Sequence, residues 1–223
     1  MAKKKLLVFA SGGAGPAEGG SGFMNLVVRG REENLGYEVV GVVSSHSNGG
    51  VLTKAKHLGI KFHYLSNPRT AEAYRSIITA SGAEFVALSG WMHLIDGHDP
   101  ARTINIHPGP LPRFGGKGMY GHHVHEAVHK ALVAKELVKT AVTMHFATPI
   151  YDDPRAVFFV CDVPLLPSDT PATIQQMVNR AEHHWQPIMT HRVVTGEIHW
   201  SDYPKGAPAN GGVVKHTFER VTE

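Results

Sequence analysis

Cysteine is almost absent from this sequence, and that scarcity excludes an internal disulfide bond. The single cysteine, Cys161, lies in the apolar run VFFVCDVPL, so a buried and inert thiol is expected. A secretory signal is not expected either, because the apolar run at residues 6–10 is too short for one and lacks a small-residue cleavage site that would spare the fold. We therefore expect a cytoplasmic protein that does not bind a membrane.

An excess of charge of one sign is missing as well. The formal net charge at pH 7 is +3 with histidine counted as neutral, and no stripe of basic residues stands out. No nucleic-acid partner is therefore predicted. The basic run at residues 3–5 leads directly into the first apolar run, which favours a solvated approach to a strand over a nuclear or membrane address.

Histidine, by contrast, is abundant, with 16 copies. His122, His125 and His129 would share one face of a helix that begins after Gly121. Histidines at such a spacing can bind a metal ion. The chain nevertheless has no HExxH or CxxC motif and no acidic triad near them, so we expect no metal site.

Apolar, β-branched runs alternate with helical patterns through the first half of the chain. This alternation predicts an α/β, Rossmann-like, doubly wound fold with a mostly parallel sheet. One helix is expected to carry Pro68 at its first position and to end at Gly82. The predicted strands are 4–10, 37–45, 60–65, 84–90 and 101–107, and the predicted helices are 23–33, 51–58 and 67–82.

The second half has a different pattern. A helix at 120–134 is followed by two apolar runs, at 139–148 and 155–165, with no helix between them. These runs should be antiparallel strands that extend the sheet on its C-terminal side. The amphipathic segment 170–196 opens with Thr-Pro and closes with Gly196, which predicts a long helix.

A glycine-rich loop, SGGAGPAEGGSGF at residues 11–23, follows the first strand. The dinucleotide fingerprint fails because Glu18 occupies its third glycine position and the second strand ends without an acid. A P-loop fails because Ser21 stands where its lysine is required. Two interpretations remain. Backbone amides near Ser21 and Gly22 bind an anion at a helix N-terminus, which we favour, or the loop is a plain connection.

The stretch NIHPGPLPRFGGKG, residues 105–118, places an amide and an imidazole before three prolines and four glycines. Strand side chains alternate, so Asn105 and His107 should share one side at the carboxyl end of a parallel strand, where open α/β sheets bind ligands. The prolines should fix the strand exit, and the glycines should let the chain pass close to another group. An amide beside an imidazole suits acyl transfer. An incidental polar pair at a turn is the alternative.

No strong protein nucleophile accompanies this pair. Cys161 is embedded in an apolar strand, and the chain has no GxSxG motif. Direct attack by a substrate amine is therefore the simplest mechanism, and it requires only electrostatics, orientation and a proton path from the protein.

Four segments, in order, resemble the formyltransferase family that uses 10-formyltetrahydrofolate. They are the glycine-rich turn, LSGWMHLI (88–95), NIHPGPLP (105–112) and HFATPIYDD (145–153), and the third is the most specific. The resemblance, from about residue 5 to residue 200, is strongest to members that formylate glycinamide ribonucleotide in de novo purine biosynthesis. It implies 10-formyltetrahydrofolate as co-substrate, no metal, and a monomer or homodimer.

The resemblance also implies roles for particular residues. Asn105 and His107 would stabilise an oxyanion. Asp152, seven residues beyond His145, would hold His107 in a useful protonation state and help to move the proton. His122 resembles a family histidine near the active site, although a place on the helix surface is equally expected. The implied binding residues are Gly20, Ser21, Gly22 and Glu182 for the substrate, and Met92, Leu94, Thr148 and Tyr151 for the folate.

The expected domain organisation follows the same resemblance. One domain would span residues 1–200, with residues 1–100 as its phosphate- and substrate-binding half and residues 101–200 as its catalytic and folate-binding half. Residues 201–223 would form a surface tail with one late strand. The chain departs from the family pattern in its first loop, which carries the extra residues GPAEGG, and after Asp152, where Asp-Pro replaces two glycines.

Other functions remain open on the sequence. A methionyl-tRNA formyltransferase would need a further C-terminal domain and a basic surface, and a formyltetrahydrofolate hydrolase would need an additional N-terminal domain. A formyltransferase acting on a nucleotide-linked amino sugar would use the same three residues. A binding protein that only kept the fold would not need Asn105, His107 and Asp152 together.

Overall fold

The computed structural model describes residues 2–13, 15, 17–200 and 213–220. Strands and helices alternate up to α3, and the order then changes. The strands are β1 (Lys4–Phe9), β2 (Tyr37–Ser44), β3 (Lys61–Tyr64), β4 (Phe85–Leu88), β5 (Thr103–His107), β6 (Lys139–Phe146), β7 (Val157–Pro164) and β8 (Val214–Thr217). The helices are α1 (Ser21–Glu32), α2 (Gly50–Leu58), α3 (Ala71–Ser81), α4 (His122–Val133) and α5 (Pro171–Val194), with short 3-10 turns at Pro100–Arg102 and Pro154–Ala156.

The strands form one sheet in the order β3-β2-β1-β4-β5-β6-β7-β8. The strands from β3 to β5 in this order are parallel, and β6 pairs antiparallel with both β5 and β7. The Rossmann-like fold with an antiparallel C-terminal extension is therefore confirmed. The late strand β8 pairs parallel with β7, although most of the predicted tail, residues 201–212, lies outside the described residues.

Both faces of the sheet are buried, as the uninterrupted apolar runs require. Along β1, Leu6 and Val8 pack with residues of α1, α2, α4 and α5 on one face, whereas Leu7 and Phe9 pack with Tyr74 of α3 on the other. Alternating side chains thus anchor two helical layers. Within the described ranges, no helix is both long and apolar enough to cross a membrane.

Threonine caps mark the starts of α3 and α5. The predicted start of α3 was wrong: Pro68 precedes the helix, and Thr70 caps it by accepting a hydrogen bond from the Ala73 amide at 3.2 Å. A hydroxyl that satisfies a free first-turn amide sets the helix start more firmly than an upstream proline does. The C-terminal Gly82 is confirmed in the left-handed conformation. Thr170 likewise caps α5, with proline at its first position as predicted.

The single cysteine is also as predicted. Cys161 is fully buried in β7, and burial raises the pKa of its thiol to about 11. A thiol with that pKa is almost entirely protonated at neutral pH, so it cannot act as a nucleophile.

Candidate active site

A cavity of about 700 Å³ opens over the carboxyl ends of β1, β4 and β5. This is the edge at which open α/β sheets bind ligands. The structure brings every residue for which the resemblance implied a catalytic or binding role to this one cavity. Its lining includes Gly20, Ser21, Gly22, Met92, Leu94, Asn105, His107, Thr148, Tyr151, Asp152 and Glu182.

His107 is held so that one ring nitrogen remains for chemistry. Its side chain is 3% exposed, and its Nε2 lies 2.7 Å from the carbonyl oxygen of Phe114. A carbonyl can only accept, so Nε2 carries the proton and Nδ1 is the open atom of the neutral ring. Burial lowers the pKa of His107 below its ordinary value, against the opposing effects of Asp152 and the Phe114 carbonyl. The ring is therefore neutral at physiological pH.

His145 is a site residue that the sequence reasoning missed. It lies directly opposite Asn105 in the antiparallel pairing of β5 and β6. Its Nδ1 donates to the carbonyl of Phe146 at 2.9 Å, and its Nε2 lies 3.0 Å from Asn105 Nδ2. The histidine thereby fixes the orientation of the amide and leaves its second N–H for a ligand. The sequence did offer one indication of His145, because it is the first residue of the family-like segment HFATPIYDD (145–153).

Asp152 lies between the two imidazoles. Its Oδ1 is 3.6 Å from His107 Nδ1 and 3.4 Å from His145 Nε2, and its Oδ2 accepts from the Gly116 amide at 2.8 Å. Burial alone would raise the pKa of Asp152, but the two histidines and this amide outweigh it and hold the pKa below its usual value. The carboxylate stays ionised and favours a positive charge on a neighbouring ring.

The glycines of the Asn-x-His-Pro stretch serve this carboxylate. A Cβ atom added to Gly115 would lie 2.3 Å from Leu111 Cδ2 and 3.0 Å from Asp152 Cβ. A side chain at position 115 would therefore crowd Leu111 and Asp152 beside the Gly116 amide that binds Asp152. The group that the glycines were predicted to approach is thus the third polar residue of the site.

On the opposite side of the cavity, the glycine-rich loop ends at the first turn of α1. Helix α1 begins at Ser21, two residues before the predicted start, so Ser21 and Gly22 belong to the helix. Gly20 precedes it in the left-handed conformation, with φ 75°. No side chain caps this first turn, and it contains no acidic residue. Its free amides and the helix dipole therefore favour an anion here.

Glu182 projects from α5 into the same part of the cavity. Among the described residues its carboxyl has no hydrogen-bond or ion-pair partner, and burial raises its pKa to about 8. The neighbouring His183 places Nε2 3.3 Å from the hydroxyl of Ser21. An unpartnered carboxyl beside an anion site is suited to a ligand that carries hydroxyl or amine donors as well as a phosphate.

The third side of the cavity is apolar. Met92 and Leu94 are each 36% exposed, and Ile150 and Tyr151 are more exposed still. The Leu94 amide donates to the Tyr151 hydroxyl at 3.2 Å, which joins the two loops, and Thr148 is buried at the base of the second loop. Large exposed apolar side chains in a concave site suit a flat, mostly apolar ring system.

The Asp-Pro departure after Asp152 builds its turn with side chains. Asp153 is 1% exposed and accepts from the Arg155 amide and from its guanidinium, with Nε and Nη2 both at 2.9 Å. An ion pair and a 3-10 turn thus stabilise the loop where the family pattern has glycines, and the cavity-facing position of Asp152 is retained.

The histidines of α4 do not share one environment. His122 is exposed at the cavity, whereas His125 is buried, and burial lowers the pKa of His125 to about 4. Ligand atoms of His122, His123 and Glu126 lie within 4.8 Å of one another on the exposed surface.

Comparison with known proteins identifies the family of this chain. The sequence matches the formyl transferase family over residues 4–190. The chloroplastic phosphoribosylglycinamide formyltransferase of Arabidopsis thaliana is 28% identical over 211 residues, which cover 90% of this chain and 68% of that protein. The Bacillus subtilis (strain 168) enzyme of the same name is 28% identical over 195 residues, or 82% of this chain and 91% of that one.

The fold is shared with solved structures. Phosphoribosylglycinamide formyltransferase from Anaplasma phagocytophilum superposes with a TM-score of 0.79 at 21% identity, covering 98% of this chain and all of that one (100%). Because the family match covers most of the chain, the protein is a member of the formyl transferase family.

Proposed function

We propose that this protein transfers the formyl group of 10-formyltetrahydrofolate to the amine of glycinamide ribonucleotide, a step of de novo purine biosynthesis. The observation that carries the proposal is the grouping of Asn105, His107 and Asp152 between an anion-binding helix terminus and an apolar wall. A phosphorylated amine and a folate would then meet at the polar group. We infer the identity of the acceptor from the relatives described above, which are phosphoribosylglycinamide formyltransferases.

The amine attacks the formyl carbon directly, because the buried thiol is inert and the sequence has no GxSxG nucleophile motif. The oxyanion of the tetrahedral intermediate accepts the free N–H of Asn105. His107 takes the amine proton at Nδ1, since its Nε2–H is already donated to Phe114. Asp152 stabilises the resulting imidazolium, and the proton then passes to the departing folate nitrogen, with water completing the path.

The acceptor's phosphate binds the free amides at Ser21 and Gly22, preceded by Gly20. Glu182 accepts from donors on the sugar or the glycinamide portion. The folate ring lies against Met92 and Leu94. Thr148 and Tyr151 form the rest of its binding site. None of these roles requires a metal ion.

The cellular location, the oligomeric state and the partners are predictions from the sequence. We expect the protein to act in the cytoplasm, as a monomer or homodimer, on small molecules alone.

The test is an absorbance assay of the purified protein with 10-formyltetrahydrofolate and one acceptor at a time. Turnover with glycinamide ribonucleotide is expected. Turnover only with a nucleotide-linked amino sugar would replace the acceptor, and loss of the formyl group without any acceptor would identify a hydrolase.

A further inference from the structure

Pro187 lies inside α5, where it interrupts the hydrogen bonding of the helix. A proline has no N–H, so the carbonyl of His183, four residues earlier, loses its helical donor. A partly buried carbonyl without a donor is destabilising. Because His183 lines the cavity, the group that replaces this donor also bears on the site.

Two side chains of α1 supply the missing donors. Asn25 Nδ2 lies 2.6 Å from the His183 oxygen. Arg29 Nη1 lies 3.0 Å from the same oxygen and 2.6 Å from the oxygen of His184. Glu33 in turn accepts from Arg29 Nε and Nη2, at 2.5 and 2.9 Å. Asn25 and Arg29 are four residues apart and face α5 together, so we name this pair the α1 clamp.

The clamp acts on the segment of α5 that faces the acceptor side of the cavity. Glu182 and His183 both line that side, and His183 also approaches the hydroxyl of Ser21. One turn further on, Gln186 accepts from Ser89 at 2.9 Å. Segment 182–186 is thus tied to α1 and to the residue that follows β4, and the folate wall lies on other loops.

We propose that Asn25 is a positioning residue for the acceptor. It takes the carbonyl that Pro187 leaves without a donor, and so sets the distance between Glu182 and the N-terminus of α1. The acceptor spans that distance if its phosphate binds α1 and its sugar or amine half binds Glu182. The inference rests on the proposed function in this respect.

The first experiment measures steady-state kinetics of Asn25→Ala. One lost hydrogen bond to a carbonyl should raise the acceptor KM about 3- to 10-fold, with kcat and the folate KM unchanged. The matched control is Arg31→Ala. Arg31 lies on the same helix and donates to the carbonyl of Leu58 at 3.2 Å, which belongs to α2 and not to α5. The control should leave both KM values unchanged.

The second experiment restores the donor. In Pro187→Ala the alanine N–H can bond to the His183 carbonyl within the helix, so Asn25 is no longer needed. The effect of Asn25→Ala on the acceptor KM should then fall below about 2-fold, a coupling of the two positions. An undiminished effect in the Pro187→Ala background overturns the inference, and so does an Asn25→Ala protein that melts earlier but keeps its acceptor KM.

A third measurement separates this inference from the proposed function. Calorimetric titration with ribose 5-phosphate should show weaker binding to Asn25→Ala than to the unmodified protein, and equal binding to Arg31→Ala. Unmodified protein that binds ribose 5-phosphate without formylating glycinamide ribonucleotide refutes the proposed reaction and leaves the clamp to be judged by this titration. Equal affinity of the unmodified protein and Asn25→Ala, or no binding by the unmodified protein, overturns the clamp.

Discussion

The two polar sides of the cavity present different kinds of chemical group. At the N-terminus of α1 the functional groups are backbone amides, placed by glycines and left without a side-chain cap. Across the cavity, at β5 and β6, they are side chains: two imidazoles, an amide and a carboxylate, linked by neighbouring distances of 3.0, 3.4 and 3.6 Å. An anion needs only N–H groups aimed at it, whereas proton transfer needs groups that titrate.

The way each side is held in place differs accordingly. Backbone carbonyls of Phe114 and Phe146 fix the protonated nitrogen of the two histidines. Close approach of one glycine to another fixes the amides, since a Cβ on Gly19 would lie 2.3 Å from the Cα of Gly12. Changes on the β5–β6 side should therefore affect turnover, and changes on the glycine side should affect binding of the acceptor.

The largest effect is expected from the β5–β6 side. Asn105→Ala removes the oxyanion donor, and Asp152→Asn removes the charge that stabilises an imidazolium. Each should lower kcat roughly 100- to 1,000-fold. Asparagine tolerates the left-handed backbone of residue 152, where φ is 46°, so folding should be little affected.

Single-turnover kinetics would measure the chemical step, and thermal unfolding would measure stability. If the variants transferred the formyl group at the normal rate, Asn105 and Asp152 would have no part in the mechanism. If they lost much of their stability, the lower rate would be an effect on folding.

A smaller effect, on acceptor binding more than on turnover, is expected from Gly19→Ala. The added Cβ meets backbone and the residue has φ 73°, so the loop before α1 must shift. The acceptor KM should rise about 10-fold, comparable to the loss of one charge-assisted hydrogen bond, with a smaller change in kcat. Gly59→Ala is the control: its φ is 67°, but nothing lies within 4 Å of the new Cβ. If both variants changed the acceptor KM equally, general strain and not the loop would be the cause.

The smallest effect concerns Glu182 and pH. Its pKa is raised from 4.5 to about 8, so the unfolded state ionises first as pH rises. The stability associated with a neutral Glu182 is complete below about pH 4.5 and declines toward pH 8. Glu182→Gln should therefore raise the melting temperature by about 2–4 °C at pH 8, for a gain near 1 kcal/mol, and change it little at pH 4.5. Scanning calorimetry at the two pH values checks this, and an equal shift at both would mean that ionisation is not involved.

Local signals in the sequence predicted much of this molecule because they act over a few residues. Thr170 and its following proline marked the start of α5, and the alternation of a strand placed Asn105 and His107 on one side. The start of α3 was wrong because two local signals competed, and the Thr70 cap prevailed over Pro68. The antiparallel extension was predicted from the missing helix between two apolar runs.

Other contacts join residues far apart in the chain, and no local pattern encodes them. His145 became a site residue through the register of β6 against β5, which sets it opposite a residue 40 positions earlier. Asn25 donates to the carbonyl of His183, 158 positions later in the chain. The sequence shows that Pro187 lacks an N–H, but only the packing of α1 against α5 shows which group replaces that donor.

The sequence by itself determined the strands and helices, the inert thiol and the Asn-x-His-Pro motif, since periodicity, caps and fixed spacing are properties of short segments. Only the tertiary structure decided which nitrogen of His107 is free and where Asp152 lies between the two imidazole rings. It also decided that the first turn of α1 and Glu182 line the same cavity. Those features depend on strand register and on helix packing, which are set by the burial of both faces of the sheet.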